Sequence, residues 1–153
     1  MPTSRPEKDT VFVLNGPNLN LLGVREPQTY GSATLADVQQ LCRERADEEG
    51  LVIEFRQTNH EGVMIDWIQE AREKAAGIII NPAGLTSTSI ATLDALLAVA
   101  LPIIEVHVTN IHRREAFRHF SYISQAATSV IAGAGTHGYQ LALSHMARLL
   151  RAD

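Results

Sequence analysis

The sequence predicts an α/β fold: a five-stranded parallel sheet with helices on both faces. Three observations carry that prediction. Five short apolar runs are rich in β-branched residues. Segments with helical spacing of apolar side chains alternate with them. Three of the runs are nearly continuous in apolar residues, the pattern of strands covered on both faces.

The first strand is Thr10–Leu14, and residues 1–9 before it read as a disordered tail. Thr34-Leu-Ala-Asp37 resembles a capping box. It opens a helix with Leu35, Val38, Leu41 and Cys42 on one face, stopped at Gly50. The second strand is Leu51–Gln57. Glu61–Ala76 then places Ile65, Ile68, Ala71 and Ala75 at helical spacing. The third strand is Gly77–Asn81. Thr88–Ala100 follows as a helix with Ile90, Leu93, Leu96 and Leu97. The Thr/Ser run before it, Ser87 included, suits a helix start, where a hydroxyl caps free N–H groups. Pro102–Val108 and Ser129–Ala132 are the last two strands. Gly138–Leu150 closes the chain with Leu141, Ala142, Met146 and Leu149 on one face. Right-handed crossovers join such units. For five strands the common order is 2-1-3-4-5, the flavodoxin-like arrangement. Residues 10–153 read as one domain.

Composition removes several function classes. The 13 Lys and Arg against 17 Asp and Glu leave a formal net charge of −4, unlike the basic surface of a nucleic-acid binder. Aromatics are 5%, too few for a base-stacking platform. No apolar run approaches the ~20 residues of a membrane span. A single cysteine, Cys42, excludes an internal disulfide and fits a reducing, cytoplasmic setting. Cys42 sits on an apolar helix face and reads as an inert buried thiol.

The topology locates a site. Ligands of such sheets bind beyond the carboxyl ends of the strands, where the winding reverses. Here that place is made by Asn15-Gly-Pro-Asn18, Asn81-Pro-Ala-Gly84 and His107-Val-Thr109. The connection over residues 15–33 is far longer than the usual ~2–6 residues and reads as a lid.

Several motifs invite chemistry that their context does not support. Gly133-Ala-Gly-Thr-His-Gly138 fits G-x-G-x-x-G, but only 15 residues follow it, too few for the second strand and acid of a dinucleotide site. His107, His112 and His119 lie near Glu105 and Glu115 without the spacing of a metal site. Ser87, His107 and Glu105 evoke a nucleophilic triad, yet no G-x-S-x-G elbow surrounds Ser87. The lid pair Arg25 and Tyr30 is more informative, because an adjacent cation stabilises a phenolate. A tyrosinate can take a proton from carbon next to a carbonyl.

Longer motifs then fall into one pattern. Leu14-Asn-Gly-Pro-Asn-Leu-Asn-Leu-Leu-Gly23 is followed by Arg25-Glu-Pro27 and Tyr30-Gly31. Gln57-Thr-Asn-His-Glu-Gly62 precedes Ile65-Asp-Trp-Ile68. Asn81-Pro82, Glu105-Val-His107, Arg114, Phe117-Arg118, Ser121-Tyr122 and Gly138-Tyr139 complete it. Over about residues 11–150 the chain resembles the type II 3-dehydroquinate dehydratases.

The resemblance implies conversion of 3-dehydroquinate to 3-dehydroshikimate and water, without cofactor or metal. That is a step of the shikimate pathway and aromatic amino acid biosynthesis, or of quinate catabolism. It implies a flavodoxin-like lyase assembled as a homo-dodecamer, a tetramer of trimers. Residue by residue, Tyr30 would be the base and Arg25 would hold it as the phenolate. Asn18 would position a water that stabilises the enolate. Asn81 and His107 would bind hydroxyls around the leaving group. The backbone N–H groups of Val108 and Thr109 would bind the substrate carboxylate, and Arg118 the ring hydroxyls. Arg114 resembles a second arginine near the lid, and Asp94 a further substrate-binding residue. Glu105 would pair with the general-acid histidine.

The chain departs from the pattern at one important place. Thr86-Ser87-Thr88-Ser89 stands where the family usually reads T-H-T-S, so Ser87 occupies the position assigned to that general-acid histidine. Leu93 stands where an arginine is common, and Thr109 replaces a usual serine. Positioned acid catalysis is worth ~10²–10⁴ in rate. The departure therefore raises an alternative: a weakly active member that acts on or binds a related cyclic polyhydroxy acid.

Overall fold

Each apolar run becomes a strand. The computed structural model describes residues 8–152. Its strands are β1 Thr10–Asn15, β2 Val52–Gln57, β3 Gly77–Asn81, β4 Ile103–His107 and β5 Ser129–Ala132. All pairs are parallel and the order is β2-β1-β3-β4-β5, as the sequence predicts. The expected tail over residues 1–9 lies outside the described residues except at Lys8 and Asp9. The Asp9 carbonyl already accepts the Val52 N–H, 2.9 Å away.

Burial follows position in the sheet. β3 and β4 are buried along their whole length, and β1 is buried after Thr10. β2 and β5 form the two edges and are half-exposed. Successive side chains on a strand point to opposite faces. Val11 and Val13 of β1, Ile79 of β3 and Ile104 and Val106 of β4 therefore share one core. Phe12, Leu14, Ile78, Ile80 and Ile103 share the other.

The helices cover those faces. They are α1 Pro27–Tyr30, α2 Leu35–Glu49, α3 Glu61–Lys74, α4 Ile90–Ala98 and α5 His137–Arg151. Val38, Cys42 and Ala46 of α2 and Tyr139, Leu143 and Met146 of α5 fill the first core. Met64, Ile68 and Ala71 of α3 and Leu96 of α4 fill the second. Burial pushes the Cys42 thiol up to about 12, so it stays protonated and inert. The capping box is present: Thr34 Oγ1 accepts the Asp37 N–H and Asp37 accepts the Thr34 N–H. Gly50 ends α2 at φ 72°, a backbone that favours glycine.

The structure corrects one helix start. Residues 83–87 form a 3-10 turn, and α4 begins only at Ile90. Its cap is Ser89, whose Oγ accepts the Thr92 N–H at 3.0 Å. Ser87 caps nothing; its hydroxyl donates instead to the Phe120 carbonyl at 2.9 Å. The predicted lid is also more ordered than a bare loop. It contains a 3-10 turn at Leu19–Leu21 and the single turn α1, which Pro27 opens at its first position.

Candidate active site

The strand ends of β1, β3 and β4 open into a cavity of about 320 Å³, at the place the topology predicts. Its walls come from four stretches of chain. Asn18, Arg25 and Tyr30 come from the lid, and Asn81 from the end of β3. Thr86, Ser87 and Thr88 come from the 3-10 turn after it. His107, Val108 and Thr109 leave β4, and Arg114, Phe117 and Arg118 follow. Three arginines thus line one pocket of an acidic chain.

Tyr30 lies half-buried between two of them. The Arg25 guanidinium is 5.4 Å from its ring centroid and that of Arg114 5.3 Å. The direct hydrogen bond comes from Arg114, whose Nη1 donates to the Tyr30 hydroxyl at 2.8 Å. Arg25, the partner expected from sequence, is exposed and paired with Glu26 at 3.8 Å. Tyr30 is held in place because α1 is a single turn anchored by its neighbours. Its N–H and that of Gly31 bond back to Glu26 and Pro27.

The opposite wall is buried. Glu105 and His107 are two residues apart on β4, so their side chains emerge on the same sheet face. His107 Nε2 hydrogen-bonds the Glu105 carboxylate. Glu105 is wholly buried and also accepts from Ser121 Oγ at 2.9 Å and Ser124 Oγ at 2.7 Å. Burial pushes the Glu105 carboxyl up, but the bonds from His107, Ser124 and Ser121 outweigh it and leave the group below its usual range. An ionised carboxylate fixes Nε2 of His107 as the protonated nitrogen, leaving Nδ1 as the second working atom. Glu105 does not line the cavity and reaches it only by its bond to His107.

Other expected residues divide into those at the cavity and those elsewhere. Asn18 takes a left-handed backbone at φ 71°, and its N–H is held by Asn59 Oδ1 at 2.9 Å. Arg118 lines the cavity while its Nε bonds Glu115 at 2.8 Å. Ser87 lines it too, but pairs with Phe120 rather than with Glu105. The expected pairing of Glu105 with position 87 is therefore corrected: the partner is His107. The triad of Ser87, His107 and Glu105 is likewise not assembled. Asp94 sits on the exposed face of α4, between Ile90 and Leu97, away from this cavity. Its helical position explains this, since Ile90, Asp94 and Leu97 are spaced to share the outward stripe.

Beneath the cavity floor is a group that the sequence reading did not assign. Asn15 and Asn81 are register partners at the ends of β1 and β3. The fully buried Tyr139 of α5 joins them: its hydroxyl donates to Asn15 Oδ1 at 2.7 Å and accepts from Asn81 Nδ2 at 2.9 Å. Paired asparagines at two adjacent strand ends were the available signal.

Comparison with known proteins places this geometry. The family described as dehydroquinase class II matches residues 9–147. The chain belongs to the class II dehydroquinase family. The matched span runs from the residue before β1 well into α5, so family membership covers the whole sheet. A class II dehydroquinase relative, the "3-dehydroquinate dehydratase 2" of Pseudomonas putida, is 59% identical over 144 residues. That alignment covers 94% of this chain and 97% of the relative. The 3-dehydroquinate dehydratase of Methylobacterium radiotolerans is 62% identical over 141 residues, 92% of this chain and 95% of its own. Among solved structures, the type II dehydroquinase of Propionibacterium acnes superposes with a TM-score of 0.89 at 46% identity. It covers 92% of this chain and 97% of that one.

Proposed function

We propose that this chain is a 3-dehydroquinate dehydratase with Tyr30 as base and His107 as general acid. The observation that carries the reading is one cavity bounded by an arginine-held tyrosine on one side and a carboxylate-backed histidine on the other. The substrate is taken from the relatives in Pseudomonas putida and Methylobacterium radiotolerans, both 3-dehydroquinate dehydratases.

The steps balance within the substrate. The Tyr30 phenolate takes a proton from the carbon next to the ketone, and its electron pair forms an enolate. Arg114 holds the Tyr30 oxygen by a hydrogen bond and Arg25 lies beside the ring, so positive charge faces the base as it works. Asn18 positions a water against the enolate oxygen, an electrostatic role. The enolate collapses, the C–O bond breaks, and the departing hydroxyl takes a proton from His107 and leaves as water. Glu105 holds the imidazole in orientation. Asn81 and Arg118 bind ring hydroxyls, and the N–H groups of Val108 and Thr109 face the carboxylate.

Ser87 changes meaning in this reading. The acid is present at His107, so a serine at position 87 does not remove it. The Ser87 hydroxyl already donates its hydrogen bond to the Phe120 carbonyl, which favours a wall-forming role. The weakly active alternative loses its main ground. Assembly and location belong to the same proposal: a cytoplasmic homo-dodecamer. Asp94 lies away from its own chain's cavity, so its expected part in binding requires contact between copies.

The test is turnover of 3-dehydroquinate, followed by the ultraviolet absorbance of the conjugated enone. Steady gain of absorbance supports the reading. None at high enzyme concentration overturns it.

A further inference from the structure

We infer that Tyr139 is a positioning residue that sets which way the Asn81 amide faces in the cavity. This rests on the proposed substrate-binding role of Asn81.

The inference comes from the direction of each hydrogen bond. An asparagine amide carries one acceptor end and one donor end, and its orientation is readable only from its partners. Here both ends of a buried chain are backbone groups with a single possible role. The Arg56 carbonyl can only accept, and Asn15 Nδ2 lies 3.0 Å from it. Asn15 Oδ1 must then face Tyr139, so the phenol must donate. The phenol's lone pair is left to accept from Asn81 Nδ2. At the far end the Ala83 N–H can only donate, and it meets Asn81 Oδ1 at 3.2 Å.

Every assignment agrees with its neighbours. A hydroxyl is the one kind of group in this chain that donates to one amide and accepts from the next. Burial pushes the Tyr139 phenol far above the usual tyrosine range, so it keeps the proton this requires. Asn81 is itself buried and lines the cavity. Its second N–H and its second Oδ1 lone pair remain for a ligand, with their positions fixed from behind. Tyr139 touches no reacting atom and acts only through Asn81.

Tyr139→Phe removes the central oxygen and leaves the amide oriented by the Ala83 N–H alone. A ligand then finds the competent orientation only part of the time, which raises KM in proportion. The expected result is a KM increased about fivefold or more with kcat changed less, the size of one lost oriented hydrogen bond. In an Asn81→Ala background the same change adds nothing further to KM, because the group being oriented is gone. Ile68→Val, a core change on the other sheet face, lowers the melting temperature and leaves KM unaltered. Additive effects of Tyr139→Phe and Asn81→Ala, or an unchanged KM in Tyr139→Phe, overturn the inference.

A second measurement does not need turnover. In a 15N-labelled sample the Asn81 side-chain amide gives two distinct signals in the wild type, the one bonded to Tyr139 protected from exchange. They shift and that protection is lost in Tyr139→Phe. If they stay in place, Tyr139 does not orient Asn81, whatever the substrate. If they respond while 3-dehydroquinate is not turned over, the positioning stands and only the proposed reaction fails.

Discussion

The two sides of the cavity are built differently. On the lid side, Tyr30 is half-buried and Arg25 is exposed, and their partners meet water. On the opposite wall and floor, Glu105, Asn15, Asn81 and Tyr139 are buried: Tyr139 joins the two asparagines, and Glu105 bonds His107, Ser121 and Ser124. Tyr30 stands on one turn of helix, whereas the buried groups stand on β1, β3, β4 and α5. The difference teaches where stability and chemistry are separable. A side chain on the lid can be removed at the cost of activity alone. One on the floor leaves an unpaired polar group in the interior and costs both.

The largest effects divide along that line. His107→Gln lowers kcat by ~10²–10⁴ as the acid is lost. It also lowers the melting temperature, since it removes a partner from a buried carboxylate. Tyr30→Phe lowers kcat by a similar ~10²–10⁴ through loss of the base, with the melting temperature held. Turnover assays and thermal unfolding of both proteins check this. Equal melting shifts in the two variants would break the comparison.

A smaller effect sharpens the lid side. Arg114 donates directly to the Tyr30 hydroxyl, whereas Arg25 contacts the ring. Arg114→Ala therefore lowers kcat more than Arg25→Ala, by about tenfold, the worth of one charge-assisted hydrogen bond. The order of the two rates at saturating substrate decides it.

The floor has its own pH signature. Glu105 is held below its ordinary carboxyl value of 4.5, so the folded state binds fewer protons than the unfolded one in acid. Its stabilisation is fully present above that ordinary value and is lost as pH falls through the lowered folded one. Urea unfolding across that window shows the wild type losing more stability than Glu105→Gln. A parallel loss in both proteins would remove Glu105 from the acid response. The smallest effect is at position 87. Ser87→His leaves kcat at or below the wild-type value if His107 is the acid proposed above. A clear gain in rate would return the acid to position 87.

The legibility of these features in the sequence follows from distance along the chain. β1, β3 and β4 were readable because burial on both faces demands unbroken apolar runs. Glu105 and His107 were also readable as a pair, since strand geometry alone puts residues two apart on one face. Family resemblance had instead placed the acid at Ser87, where a histidine is usual. The helix cap was ambiguous for a physical reason. Four hydroxyl residues stand in a row from Thr86 to Ser89, and only the backbone path shows which one caps α4. Asp94 was singled out by the resemblance alone, and helical spacing puts it on the outward face of α4, away from this cavity. The link from Tyr139 to Asn15 spans 124 positions, and no local pattern announces it.

That span also bears on synthesis. Asn15 and Asn81 leave the ribosome long before Tyr139, which follows Asn81 by 58 positions. Domains form as the chain emerges, and contacts between distant residues close late. All five strands precede Tyr139, so the sheet can be paired while the floor still lacks its central oxygen. Docking of α5 is the step that completes the pocket. A chain stalled or cut before position 139 would carry the lid, both arginines and the Glu105–His107 pair, yet hold its two floor asparagines unaligned. The last helix thereby supplies the final hydrogen-bonding group of the pocket floor.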